Sequence, residues 1–194
     1  MARAWRLTCC MPLVWLWAAP PDVSAEGIGA AAFLIAAFSP DGGRIVTAFG
    51  EDVCIWDGHS GRRLPRLVGH GATVFDARFA PGGRVLVAAS ADKTVRLWDA
   101  ETGEERRRFP TPGRALRASV GGGDRVLARW ESAGEGNRPA PHTSLWDAGS
   151  GLELARFALT AGATAAAFSP DGARLLVATS PDPLRDARTG RPAR

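Results

Sequence analysis

Three times in this chain a short apolar run ends in Trp-Asp and is followed, four residues after the Asp, by Gly. The copies are Ile55-Trp56-Asp57 with Gly61, Leu97-Trp98-Asp99 with Gly103, and Leu145-Trp146-Asp147 with Gly151. A fourth copy, Leu184-Arg185-Asp186 with Gly190, has lost its Trp. The Trp positions are 42 and 48 residues apart and the last copy follows after 39. A repeat near 40 residues describes one supersecondary unit that cannot bury its apolar face alone, so the fold must be a stack of such units. The functional question therefore becomes which surface the stack presents.

A second motif keeps phase with the first. Phe38-Ser39-Pro40-Asp41-Gly42, Phe79-Ala80-Pro81-Gly82-Gly83 and Phe168-Ser169-Pro170-Asp171-Gly172 precede their Trp-Asp steps at matching distances, and the third unit is degraded to Val120-Gly121-Gly122-Gly123-Asp124. Pro fixes one turn dihedral and Gly supplies positive φ at another, so each copy reverses the chain tightly. After every turn comes an Arg (Arg44, Arg84, Arg125, Arg174) and then a β-branched or leucine-rich run such as Ile45-Val46-Thr47 or Val85-Leu86-Val87. Strand and turn alternating at this spacing predict an antiparallel meander, one blade of a β-propeller per unit.

On these residues the chain resembles the WD-repeat (Trp-Asp) β-propeller family from about residue 29 to residue 190, in units of about 29–61, 70–103, 111–151 and 159–190. The resemblance implies an all-β fold of about four blades, each a four-stranded antiparallel meander, as an open, partial propeller. The second unit matches best: Gly69-His70 opens it and Ser90 to Asp99 closes it. By resemblance His70, Ser90, Asp92 and Trp98 form a buried hydrogen-bonded chain, and Trp56, Asp57, Asp99, Trp146 and Asp147 are structural. Burying an imidazole between a carboxylate and a hydroxyl leaves no polar group unpaired. Gly29, Thr111 and Leu159 stand where His70 stands, so the other blades are expected to rely on apolar packing and to be softer.

The N-terminus reads differently. Arg3 and Arg6 precede an apolar run from Leu7 to Ala19, then Pro20-Pro21-Asp22 and Val23-Ser24-Ala25. A basic start, a short apolar stretch and small residues before a cut describe a secretory signal peptide over residues 1–25, leaving 26–194 as the propeller segment. The run is too short for a membrane span. Cys9 and Cys10 fall inside it, and Arg6-Leu7-Thr8 matches a lipoprotein signal poorly. The expected location is secreted or periplasmic. Cleavage removes Arg3, Arg6 and Asp22 and lowers the net charge by one from +4, too mild a value to imply nucleic acid. Arg106-Arg107-Arg108 is the one dense basic run; following Glu104-Glu105, it reads as a solvated, self-compensated outer strand. Cys54 alone remains after cleavage, so no intrachain disulfide is expected, and its place in an apolar strand suits a buried filler.

Arg194 lies just past the fourth Trp-Asp position, where a further outer strand would begin. Propellers usually close with four to eight blades. Three readings stay open: part of a longer propeller, a decayed relic, or closure by self-association through open blade edges.

One departure from the repeat suggests recognition. Arg125 to Trp146 spans seven more residues than Arg84 to Trp98, enlarging the loop from Glu131 to His142. Blade loops carry recognition because the sheets fix their ends. Trp130, Asn137, Arg138 and His142 are the candidate binding residues, with Trp130 reading as core more than contact; Gly, Pro and charge predict a mobile, solvated loop.

Catalytic patterns are sparse. Gly58-His59-Ser60-Gly61 sits in a turn after Trp-Asp rather than on the strand-to-helix elbow that a nucleophilic Ser requires. Gly27-Ile28-Gly29 imitates a dinucleotide fingerprint without its upstream strand or downstream acid. No residue spacing suits a metal, and no cofactor is expected. A noncatalytic protein–protein interaction scaffold with a protein or peptide partner is the leading expectation. The alternatives are a fragment or relic of a larger propeller protein, or a propeller-framed enzyme whose site is not encoded here. The enzyme reading would need a ring of Arg44, Arg84, Arg125 and Arg174, for which pairing with a nearby Asp is the simpler cause.

Overall fold

Val85–Ser90 is apolar almost throughout, and every residue after Val85 is buried. Such a strand has to be covered on both faces, which an inner sheet of a stack achieves. The computed structural model describes residues 34–122, 124–134, 139–158, 166–169, 173–177 and 184–186. The segment 1–25, Cys9, Cys10 and the Gly27–Gly29 pattern lie outside the described residues.

The strands run β1 (Leu34–Phe38), β2 (Arg44–Phe49), β3 (Asp52–Asp57), β4 (Arg63–Leu67), β5 (Val74–Phe79), β6 (Val85–Ser90), β7 (Thr94–Asp99) and β8 (Glu105–Pro110). There follow β9 (Arg114–Gly121), β10 (Arg125–Ala133), β11 (Pro139–Asp147), β12 (Glu153–Ala158), β13 (Ala166–Phe168), β14 (Arg174–Val177) and β15 (Leu184–Asp186). They form antiparallel meanders in chain order: β1 to β4, β5 to β8, β9 to β12, and β13 to β15. Each of the first three sheets takes its fourth strand from beyond the Trp-Asp-Gly step, so a sheet and a sequence unit are offset by one strand.

Period-two alternation decides which residues bond the sheets together. Leu86 and Ala88 face the first sheet, in a cluster with Val46, Ile55, Leu67 and Trp98. Their neighbours Val87 and Ala89 face the third, with Phe109, Val126 and Trp146. A third cluster joins Leu127 and Leu145 to Leu175 and Val177 of the fourth sheet. The principal contacts between sheets all use the first strand of the following sheet: β1 and β2 against β5, β5 and β6 against β9, β10 against β13. First strands thus converge at an inner edge, the geometry of propeller blades fanned as an open stack, as the sequence predicts.

In the first three sheets the ladder between third and fourth strands shifts register at the Trp, between Cys54 and Trp56, Leu97 and Trp98, and Leu145 and Trp146. A bulge there turns the chain into its closing bend. The degraded third turn has a packing consequence: Gly121 lies against the Phe168 ring of the fourth sheet, which a Cβ would approach to 2.6 Å.

Candidate functional site

The aspartates of the Trp-Asp steps organise the turns that follow them. Asp57 accepts the backbone N–H groups of His59 at 3.2 Å and Ser60 at 2.7 Å. Asp99 does the same for Glu101 and Thr102, and Asp147 for Ser150. Gly61, Gly103 and Gly151 close these turns at φ of 66, 78 and 79°, a region where a side chain is strained. Hydrogen bonding from Ser60 holds the Asp57 pKa below its ordinary value, backbone bonds from Ser150 lower that of Asp147, and Arg106 lowers that of Asp99. These carboxylates are committed to turn geometry.

The repeated arginines do different jobs. Arg84 lies 3.5 Å from Asp99, and Arg125 pairs with Asp147. Arg44 instead crosses to the second sheet, where it donates to the Gly83 carbonyl at 2.9 Å and lies over the Phe79 ring. Arg174 donates its backbone N–H to the Ser169 hydroxyl at 2.9 Å. The basic run on β8 is likewise engaged: Arg106 with Asp99, Arg107 with the Gly149 carbonyl at 2.7 Å, and Arg108 with Glu105 at 3.2 Å.

His70 sits buried with its Nδ1 2.7 Å from Asp92. Burial pushes the imidazole pKa down, against the Asp92 bond that raises it, so the neutral ring donates Nδ1–H to the carboxylate. Asp92 also accepts from the Thr94 hydroxyl at 2.6 Å. The chain of bonds expected to run through Ser90 to Trp98 is interrupted. Ser90 gives its hydroxyl to the carbonyls of Ala72 and Thr73 at 2.8 and 3.0 Å, binding the start of β5 to the end of β6. Trp98 meets the His70 ring edge-on at 5.3 Å between centroids, and neither Trp98 Nε1 nor His70 Nε2 has a hydrogen-bond partner among the described residues. The other sheets are not purely apolar either. Trp56 donates to Thr47 at 2.8 Å and Trp130 to Ser144 at 3.0 Å, while Trp146 packs against Phe109.

Over its described residues the enlarged loop is mostly strand. The β10–β11 ladder continues past Trp130 opposite His142 as far as Ala133 opposite Pro139. Trp130 is 2% exposed, stacks on His142 at 4.3 Å between centroids, and carries the Arg156 guanidinium over its ring. That sandwich holds two strands together where the other sheets have already turned, which is why the expected mobile loop is replaced by a longer hairpin over its described part. Asn137 and Arg138 lie outside the described residues. On the same end of the sheets, Lys93, Gly113, Arg114, Glu131 and Ser132 line a cleft of about 420 Å³ between the second and third blades.

A second cleft, of about 460 Å³, opens at the inner edge among β5, β9, β10 and β13. Its charged wall is Asp76, Arg78, Arg117 and Arg129. None of these was singled out by motif, because they belong to no repeat. A signal was present: counting back from the turn motif, the positions in phase with Arg78 are Ala37 and Ala167 in the first and fourth units.

Among the described residues no group of three or more His, Cys, Asp or Glu side chains could hold a metal, and no helix is long and apolar enough to cross a membrane. The family model described as WD domain, G-beta repeat matches residues 61–99, from the first repeat glycine through β4 to the end of β7. The chain is 32% identical over 88 residues to eukaryotic translation initiation factor 3 subunit I of Pyricularia oryzae, covering 44% of this chain and 26% of that protein. It is 52% identical over 46 residues to human WD repeat and SOCS box-containing protein 1, covering 23% of this chain and 11% of that protein. The matches thus span about a quarter or less of those relatives' own length. In structure it is similar to the β-propeller domain of Myceliophteria thermophila Cps50 (Swd1), with a TM-score of 0.64 at 20% identity over 84% of this chain and 56% of that one. With the repeated Trp-Asp turns and the fanned meanders, these matches support a WD-repeat β-propeller.

Proposed function

We propose that this chain is a noncatalytic interaction scaffold that holds a protein or peptide partner on the end of the sheets bearing the β10–β11 hairpin. One observation carries the reading. The hairpin ladder extends to Ala133 opposite Pro139 and walls a cleft with Arg114 of β9 and with Lys93 in the β6–β7 turn of the neighbouring blade. Rigid sheets fix both sides of that cleft, and pre-organised walls reduce the ordering cost of binding. The similarity to WD-repeat proteins supports an interaction role and leaves the partner open. The pattern of Arg3, Arg6, the Leu7–Ala19 run and Val23-Ser24-Ala25 supports export to a secreted or periplasmic setting.

The test is selection of a displayed random-peptide library against the full chain, followed by photo-cross-linking of the selected peptides. Cross-links at Lys93, Arg114 and Ser132 are expected. Failure to enrich any peptide, or cross-links confined to the opposite turns around His59 and Thr102, would count against the proposal.

A further inference from the structure

The inner-edge cleft carries a charge arrangement that the repeat does not require. Arg117 of β9 and Arg129 of β10 stand directly opposite each other in the ladder, where side chains share a face and like charges destabilise the pair. Arg129 is relieved in part by Glu131 at 2.9 Å, yet its Nε is buried without a partner. Arg78 is paired with Asp76 at 2.8 Å. The second oxygen of Asp76 accepts the Ala118 backbone N–H at 3.0 Å, so both oxygens of that carboxylate are engaged. Arg117 is exposed and has no hydrogen-bond or ion-pair partner among the described residues. Three guanidinium groups therefore line one cleft with two carboxylates engaged beside them, and a single positive charge is left over.

From this arrangement we propose that the cleft binds one carboxylate side chain of an acidic peptide segment, held by Arg117 with Arg129 beside it. Guanidinium matches a planar carboxylate through two parallel N–H···O bonds. One surplus charge suits a monoanion better than a phosphate dianion, which would bring a second negative charge next to Asp76 and Glu131. The remaining wall, Leu127, Ala118, Ala166 and Ala167 with the one polar residue Ser119, is mostly apolar and accepts short side chains on either side of the acid. The cleft volume falls within the span of roughly 300–1,000 Å³ typical of ligand sites. Its charges are not a repeat feature: Ala37 and Ala167 are in phase with Arg78, and Ile35 and Ala165 with Arg117. The inference rests on the reading of the chain as a peptide-binding scaffold, but at a locus separate from the hairpin cleft.

The experiment is a titration of the isotope-labelled full chain, followed by nuclear magnetic resonance at the arginine Nε–H groups. The probe is the capped peptide Gly-Ala-Glu-Ala-Gly, with its Gln counterpart and inorganic phosphate as separate arms. The Glu peptide is expected to shift Arg117 and Arg129 saturably. The Gln peptide should bind at least tenfold more weakly, and Arg117→Gln, a surface change that leaves the fold intact, should cost about the same factor. Arg117→Glu should abolish binding while raising the melting temperature, because it supplies a carboxylate across from Arg129. Equal binding of Glu and Gln peptides, tighter binding of phosphate at the same resonances, or an unaltered affinity in Arg117→Gln would each overturn the proposal. Shortening the hairpin between Ser132 and Ala140 to a two-residue turn should remove peptides selected at the outer cleft and leave the Glu-peptide titration unchanged, which separates the two sites.

Discussion

Asp76 of β5 joins Ala118 of β9 across the boundary between the second and third sheets, its carboxylate accepting the backbone N–H at 3.0 Å. Both residues are buried. Asp76→Ala would leave that N–H without an acceptor and Arg78 without its partner. A buried donor left unsatisfied costs about 1–3 kcal/mol, or a fall in melting temperature of roughly 2–10 °C for a domain of this size. Asp76→Asn keeps a carbonyl acceptor and should lose less. Calorimetry of the two variants checks the ordering; equal losses would mean that the charge, not the acceptor, matters.

Acid should weaken the fold through the buried imidazole of His70 and the half-buried one of His142. Burial lowers the pKa of His70 in the folded chain, and burial with the Arg156 charge lowers that of His142, both from an ordinary 6.5. The unfolded chain then takes up protons first. Stability is complete above pH 6.5 and is lost as the pH falls through that value toward the lower folded pKa. His70, the more deeply buried of the two, should carry the larger share; solvent screens His142. The melting temperature is expected to drop between pH 7.5 and 5.5, with a visibly flatter profile in His70→Asn and a slightly flatter one in His142→Phe. A profile unchanged in both variants would assign the pH dependence elsewhere.

The repeat made the sheets legible because its information is local. Trp56, Trp98 and Trp146 sit in strands that the turn motifs bound on either side, and the turn bonds of Asp57, Asp99 and Asp147 reach no further than three residues along the chain. The inner cleft was not legible because it depends on register between strands. Arg117 meets Arg129 only because β9 pairs from Gly121 opposite Arg125, at the turn where the motif is degraded. The hairpin misled for a related reason. Gly134, Pro139 and Pro141 read as breakers, whereas the Trp130–His142 stack, a contact across the ladder, keeps the strands paired. The resemblance implies one bonded chain through His70, Ser90, Asp92 and Trp98, but the Ser90 hydroxyl is taken by the backbone carbonyls of Ala72 and Thr73.

Gly121→Ala should loosen the fourth sheet selectively. The added methyl would stand 2.6 Å from the Phe168 ring, so β13 has to move. Overpacking of this kind costs about 1–3 kcal/mol, concentrated at the boundary of β9 and β13. Hydrogen exchange is expected to accelerate at Ala166–Phe168 and Leu175–Val177 while β6 and β7 keep their protection. Phe168→Leu in the same chain should restore part of it; uniform acceleration across all sheets would refute a local origin.

Arg44 and Arg84 occupy the same place in the repeat but should not be equally important. Arg84 is 72% exposed and its contact with Asp99 is 3.5 Å long, an arrangement worth no more than about 1 kcal/mol. Arg44 reaches across the boundary between the first two sheets to the Gly83 carbonyl at 2.9 Å and the Ala100 carbonyl at 3.5 Å, and covers the Phe79 ring. Charged hydrogen bonds contribute about 1.5–3 kcal/mol, and a guanidinium over an aromatic face about 0.5–1 kcal/mol at an exposed site. Arg44→Ala is therefore expected to lower the melting temperature by several degrees, whereas Arg84→Ala should change it by about 2–4 °C at most. Arg44→Lys should fall between wild type and Arg44→Ala, since one ammonium has a point charge but not the fork that spans two carbonyls. Equal losses at Arg44 and Arg84 would show that both act within their own sheet. A larger loss at Arg44 ties the repeated turn position to blade-to-blade cohesion instead.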